Sequence, residues 1–251
     1  MNILVCLKMV SRATYTDMFC TDEASDDRLS GGMIEINPAD AYALETALKL
    51  KDRYGAHVTV LSMSPMLAEP MLRSALAMGA DEAVLVCDRI FAGSDTIATA
   101  KTLSAALKTL PRQDMIFCGS KAIDSETGHI GAQLAALNEL RYMGDVLAVN
   151  ELRDGRLCVK HAGKHGAEEY SLVLPAVFSI INGTGMIRSP TIFGLRSSAK
   201  REIRIMTGDT LHLTAEQAGK NASGTETVRI DRLSFAHRHG AYTDDVHDGA
   251  A

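Results

Sequence analysis

Tryptophan is absent from this sequence of 251 residues, and aromatic residues make up only 5% of it. Its core must therefore be aliphatic, built from Leu, Ile, Val, Ala and the twelve Met. The shortage also argues against the aromatic platforms on which sugars and single-stranded nucleic acids stack. A basic excess is missing too: 26 Lys and Arg face 31 Asp and Glu, a formal charge of −5, with no long basic run. Binders of nucleic acid or anionic membrane present a positive face, so neither partner is expected. The longest apolar run, residues 172–181, is interrupted by Pro175 and falls short of the ~20 residues that cross a bilayer. Met1-Asn2-Ile3-Leu4-Val5-Cys6-Leu7-Lys8 lacks the basic lead of a signal peptide.

The five cysteines, Cys6, Cys20, Cys87, Cys118 and Cys158, form no C-x-x-C pair and no zinc-ribbon spacing. Cys6, Cys87 and Cys118 lie within or beside apolar runs, where a thiol acts as a small buried hydrophobe. The pattern is that of a reduced compartment, so a cytoplasmic location is expected. His161 and His165 fall in an expected hairpin without the ligand set of a zinc site, so no metal is expected. No Walker A sequence, no G-x-G-x-x-G fingerprint and no nucleophile with its base stands out.

What is present is a globular composition, 46% hydrophobic, in a chain long enough to bury roughly three quarters of its unfolded surface. Residues 3–7 are a continuous apolar run, the mark of a strand covered on both faces. Asn37-Pro38-Ala39-Asp40 then reads as a helix start: Asn at the cap, Pro first, an acidic group in the first turn. Ala41, Leu44, Ala47 and Leu48 follow at helical spacing up to Gly55. A strand over 58–63, a helix opened by Pro65 and stopped by Gly79, and a strand over 83–87 come next. Asp95 caps a helix through Leu103, Ala106, Leu107 and Leu110. A strand over 114–119 and a helix marked by Ile130, Leu134 and Leu137 complete the alternation.

Such β-α repetition predicts an α/β fold: a Rossmann-like parallel sheet with helices on both faces. Residues 156–161 and 168–174 add a β-hairpin, and 176–181 a further buried strand. The expected division is a nucleotide-binding α/β domain over 1–205 and an extended polar C-terminal tail over 206–251. Residues Leu211, Leu213, Val228, Ile230 and Leu233 of that tail would dock on a partner. Ligands of parallel sheets bind beyond the carboxyl ends of the strands, which directs attention to the residues after Leu7, Met63, Cys87 and Cys118.

The most informative segment is Gly119-Ser120-Lys121-Ala122-Ile123-Asp124-Ser125-Glu126-Thr127-Gly128-His129-Ile130-Gly131, between a buried strand and a helix. It reads either as an ordinary βα loop or as a cradle whose small residues and free N–H groups hold phosphate oxygens. Asn37 to Asp40 serve equally as a helix cap or as a ligand contact. The segment Asp88-Arg89-Ile90-Phe91-Ala92-Gly93-Ser94-Asp95-Thr96 reads as a capped loop.

These segments, in this order, resemble the β subunit of electron-transfer flavoproteins over about residues 1–230. The resemblance rests on Ile3-Leu4-Val5-Cys6-Leu7-Lys8, Ile36-Asn37-Pro38-Ala39-Asp40 with Ala43-Leu44-Glu45, Ala75-Leu76-Ala77-Met78-Gly79-Ala80-Asp81, Lys121-Ala122-Ile123-Asp124 and Leu174-Pro175-Ala176-Val177. It implies a heterodimer with a flavin-holding α subunit, and AMP or FAD in the β subunit. It places nucleotide contacts at Cys6, Asn37, Pro38, Ala39, Asp40, Met63 and along Gly119 to Gly131. The stretches 88–99 and 126–131 resemble the electron-bifurcating branch. That branch implies FAD in the β site, NADH as hydride donor, and electrons passed to the α-subunit flavin and to ferredoxin or flavodoxin. Phe91, Asp95 and Thr96 would then line the nicotinamide side. A conventional β subunit holding AMP and served by acyl-CoA dehydrogenases is the nearest alternative. A non-redox nucleotide-binding regulatory module is the alternative of another class. The loop that meets dehydrogenases in the family, Asn-Glu-Pro-Arg-Tyr, is replaced here by Gly183-Thr184-Gly185-Met186-Ile187-Arg188-Ser189-Pro190, where only Arg188 and the later Pro190 and Gly194 match.

Overall fold

The computed structural model describes residues 1–12, 33–183 and 185–226. The acidic loop expected at 21–28, Tyr15, and Val228, Ile230 and Leu233 of the tail lie outside the described residues. In chain order the elements begin with β1 (Asn2–Cys6), β2 (Met9–Arg12), β3 (Met33–Ile36), α1 (Pro38–Tyr54), β4 (His57–Met63), α2 (Glu69–Met78) and β5 (Glu82–Val86). They continue with α3 (Thr96–Thr109), β6 (Met115–Gly119), α4 (Ile130–Leu137), β7 (Arg141–Arg153), β8 (Arg156–Gly163) and β9 (Gly166–Val173). The last are β10 (Ala176–Ile180), α5 (Ile192–Ser198), β11 (Arg204–Met206) and α6 (Gly208–Leu211).

One sheet has the order β11-β5-β4-β1-β6-β10-β7-β8-β9, and β2 pairs separately with β3. All pairings from β11 to β7 are parallel; β7-β8 and β8-β9 are antiparallel, the second of these being the expected hairpin. Side chains alternate between two cores. Ile3, Val5 and Leu7 join α1 and α2 on one face, while Leu4 and Cys6 join α3, α4 and α6 on the other. A strand that feeds two cores must be apolar at every position, and residues 3–7 are. The α/β architecture with helices on both faces is as expected.

Helix boundaries follow their chemistry. Gly55 ends α1 in the left-handed region (φ 67°), its N–H donating to the Lys51 carbonyl. Asp95 caps α3 by accepting from Ala98 N at 2.8 Å. Two details differ from expectation. Pro65 opens only a 3-10 turn (Met66–Ala68), and the α-helix starts after it with Glu69 and Pro70. Residues beyond 205 are also not all tail: β11 straddles that boundary and pairs with β5. Met206, Leu211 and Ala218 are buried, and Leu213 packs against the same core. Leu211 is therefore buried in this chain's own interior, and Leu213 covers it from the edge. The physical reason is the sheet edge, since β5 without β11 would leave a row of backbone groups unpaired. Among the described residues no helix is long and apolar enough to cross a membrane.

Candidate functional site

From β1 the chain builds outward through β4 and β5, then returns to place β6 on the other flank of β1. That reversal opens a crevice between the carboxyl ends of β1 and β6, where parallel sheets hold ligands. The start of α1 bolts the two ends together. Asp40 accepts from Lys8 N at 2.7 Å and from Gly119 N at 2.8 Å. Asn37 donates from Nδ2 to the Lys121 carbonyl at 3.0 Å and accepts at Oδ1 from Ile123 N at 3.1 Å. Asn37 thus occupies the cap position without capping the helix through its side chain; its amide is spent on the loop after β6. The contact is close: a Cβ at Gly119 would run into Asp40 Oδ1 and lie 2.7 Å from Ala39 Cβ. Burial lifts the Asp40 carboxyl to about 6, against the bonds from Lys8 and Gly119 that favour its ionised form.

Cys6 and Cys118 stand side by side at the bottom of this crevice, both buried. The hydrogen-bonded Cys6 thiol, together with burial, pushes the Cys118 thiol well above its ordinary value. Cys118 is therefore neutral and unreactive. Met63 sits at the end of β4, partly buried against the second core. Above the crevice Lys8 Nζ pairs with Asp124 Oδ1 at 2.6 Å and reaches Ser125 Oγ at 3.4 Å. The structure thus gathers Cys6, the Asn37 to Asp40 turn and the loop from Gly119 around one point.

On the other flank of that loop lies an open cavity of about 560 Å³. Ser120, Lys121, Glu126 and Gly128 line it from the loop; Tyr142, Asp145, Ser179, Ile181 and Asn182 line it from β7 and β10 and the residues after them. Gly128 has φ 66° and a Cβ there would lie 3.0 Å from the Ser120 carbonyl, so glycine is required by the turn itself. Gly131 also lacks room, yet not for the reason its place in the loop suggests. Its Cβ would meet Ser179 Oγ and, at 3.1 Å, Tyr142 Cε2, which are protein atoms and not a ligand's phosphate. Lys121 and Glu126 form an exposed pair at 3.3 Å, while Ile123, Ser125 and Thr127 are exposed and Ala122 is partly so. His129 precedes α4 without a side-chain cap bond, and Ile130 begins the helix.

Tyr142, Asp145, Ser179 and Asn182 were not among the expected contacts. One signal for them was legible: Ser179 is the single polar residue in the apolar run Ala176-Val177-Phe178-Ser179-Ile180, all of it buried.

The stretch after β5 departs from expectation. Phe91 is buried in the second core and offers no wall to a nicotinamide ring. Asp95 has both oxygens engaged: Oδ1 by Ala98 N, and Oδ2 by Gly224 N at 2.7 Å and Thr225 N at 3.1 Å. Burial works against its charge, but these amide bonds hold the carboxyl below the ordinary range. Thr96 Oγ1 accepts from Gln133 Nε2 of α4 at 3.3 Å. None of the three lines the cavity.

Residues 185–195 lie along the helices of one face, Arg188 on α1 and Gly194 against the Ala77 carbonyl of α2. Arg188 braces them, its Nε donating to Glu45 Oε2 at 2.8 Å and its Nη2 to Asp52 Oδ2 at 2.8 Å. Met186 in this segment and Ile192 and Phe193 at the start of α5 are 89%, 83% and 86% exposed, which is unusual for large apolar side chains.

A family model for the electron transfer flavoprotein domain matches residues 31–204. The chain is 38% identical to the electron transfer flavoprotein subunit beta of Thermoanaerobacterium thermosaccharolyticum, over 98% of this chain and 94% of the relative. It is 35% identical to the caffeyl-CoA reductase-Etf complex subunit CarD of Acetobacterium woodii, over 91% and 87%. With protein FixA of Azotobacter vinelandii it shares 34% identity over 78% and 72%.

Proposed function

The chain belongs to the electron transfer flavoprotein family, matching its β subunits along nearly its whole length, and from that premise we propose that it binds FAD at the β1/β6 crevice and works as the β half of a cytoplasmic heterodimer with an α subunit. NADH is the electron donor in this reading, and the acceptors are the α-subunit flavin and a low-potential carrier of the ferredoxin or flavodoxin kind. A bound flavin supplies the redox chemistry; the residues here bind it, orient it and keep water out.

The observation that carries the reading is the loop 119–131, whose exposed Lys121 would turn from its surface pairing with Glu126 to a diphosphate. It offers the Lys121 ammonium, a turn at Gly128 that admits no side chain, and exposed backbone, with open space on one flank. Asn37 and Asp40 do not serve a ligand with their side chains, whose polar atoms are already taken by the loops. Their part is to hold the crevice in shape, leaving Pro38 and Ala39 to meet the nucleotide through backbone and apolar surface. The exposed Met186, Ile192 and Phe193 are the surface on which a dehydrogenase of the acyl-CoA type would dock.

The test is direct. The heterodimer, co-expressed with its α subunit, is denatured and its FAD and AMP are quantified, then fresh protein is mixed anaerobically with excess NADH. Two flavins per heterodimer and bleaching of the flavin absorbance are expected. One flavin with one AMP would refute the FAD assignment in favour of the conventional β subunit. Two flavins without bleaching would refute the NADH role alone.

A further inference from the structure

Ser179 is nearly inaccessible, at 2% exposure, in a strand whose other positions are all apolar. Such a hydroxyl needs partners for its proton as well as for its lone pairs. Its oxygen has one, since Tyr142 Oη donates to Ser179 Oγ at 2.9 Å. Its proton has none among the hydrogen bonds of the described residues, and Ser179 lines the cavity of about 560 Å³. The hydroxyl cannot turn aside easily, because α4 begins against it: the space where a Cβ of Gly131 would stand is already filled by Ser179 Oγ. A polar group held this way, with a donor behind it and a cavity in front, is arranged to donate to something in the cavity.

The layout says what that something is. The loop 119–131 runs between two spaces, the switch-point crevice on one flank and this cavity on the other. Lys121 belongs to both, its carbonyl fixed by Asn37 on the crevice side and its side chain lining the cavity. If the loop holds phosphates, a dinucleotide has a sugar on each side of its diphosphate and so occupies both flanks. A mononucleotide has a sugar on one side only. The cavity is lined by hydroxyl, carboxylate and amide groups (Tyr142, Ser179, Glu126, Asp145, Asn182) around a single cation. Such a lining suits a hydroxyl-rich chain better than a base or a second phosphate.

We propose that Ser179, held by Tyr142, is a specificity-determining residue that donates to the second sugar of a dinucleotide and so selects FAD over mononucleotides at this site. The inference rests on the nucleotide-site reading above and deepens it.

The test uses the heterodimer stripped of its β-site nucleotide and titrated separately with FAD, ADP and AMP. Ser179→Ala removes one hydroxyl and keeps the Cβ packing. It should weaken FAD by about tenfold, the ~1.4 kcal/mol of one hydrogen bond, while ADP and AMP stay within about twofold. Tyr142→Phe leaves Ser179 free to turn and should give a smaller loss for FAD alone. Unchanged FAD affinity in Ser179→Ala overturns the proposal, as does an equal loss for all three ligands. A wild-type heterodimer that takes up none of them at the β site overturns the nucleotide-site reading, and this inference with it.

Discussion

Replacing Arg188 with Ala tests how the segment after β10 is held on α1. Its guanidinium and backbone N–H give Glu45 three hydrogen bonds, at 3.1, 2.8 and 3.2 Å, and a fourth goes to Asp52 at 2.8 Å. The Glu45 side chain is 7% exposed and that of Arg188 is 29% exposed. Removing one partner of a buried ion pair costs about 3–5 kcal/mol, because the other charge is left without compensation. Arg188 is partly solvated and Glu45 keeps the backbone bond, so a loss of about 2–3 kcal/mol is expected. For a chain of this size that corresponds to a fall in Tm of about 5–10 °C. The assay is thermal unfolding of the heterodimer followed by circular dichroism, with Glu45→Gln/Arg188→Ala as the control. A neutral amide needs no cation, so the double variant should recover most of the loss. A drop below about 2 °C, or a double variant as unstable as the two single changes summed, would show that Glu45 is not held by Arg188.

Two further outcomes are expected. Asp40 has an ordinary value of 3.8 and is raised to about 6 in the fold. A raised carboxyl contributes stability that is present below the unfolded value and lost as pH rises through about 6, at most about 3 kcal/mol. Asp40→Asn should therefore flatten the pH dependence of stability between about pH 4 and 6 relative to the parent, measured by urea unfolding at stepped pH; parallel curves would contradict the burial of that charge. Asp95→Ala removes a helix cap worth about 1 kcal/mol and frees the amides of Gly224 and Thr225. Limited proteolysis should then cut near 223–226 sooner than in the parent, and an unchanged digestion pattern would mean that Asp95 does not hold that segment.

The alternating β-α pattern, the helix stops at Gly55 and Gly79, the Asp95 cap and the hairpin were all legible in the chain, because each depends on neighbours a few residues apart. The crevice was legible in part: strand ends attract ligands in any parallel sheet, and the glycine-rich loop after β6 lies at one. What the linear order could not carry was the partner of each polar side chain. Asn37 looks like a cap, yet its amide is committed to residues 84 and 86 positions away. Phe91 looks exposed in a polar loop and is buried, because residues 89–91 form a 3-10 turn that sets its ring in the second core. Leu211 and Leu213 look stranded in a polar tail until β11 closes the sheet edge and brings them onto the core. The cavity wall is the clearest case, since Tyr142 and Ser179 meet only when β7 and β10 pair in register. Local propensity and periodicity act over a turn or a strand, and so they are written in the chain. Which hydroxyl faces which cavity is decided by contacts between segments far apart in sequence, and these exist only once the sheet has assembled.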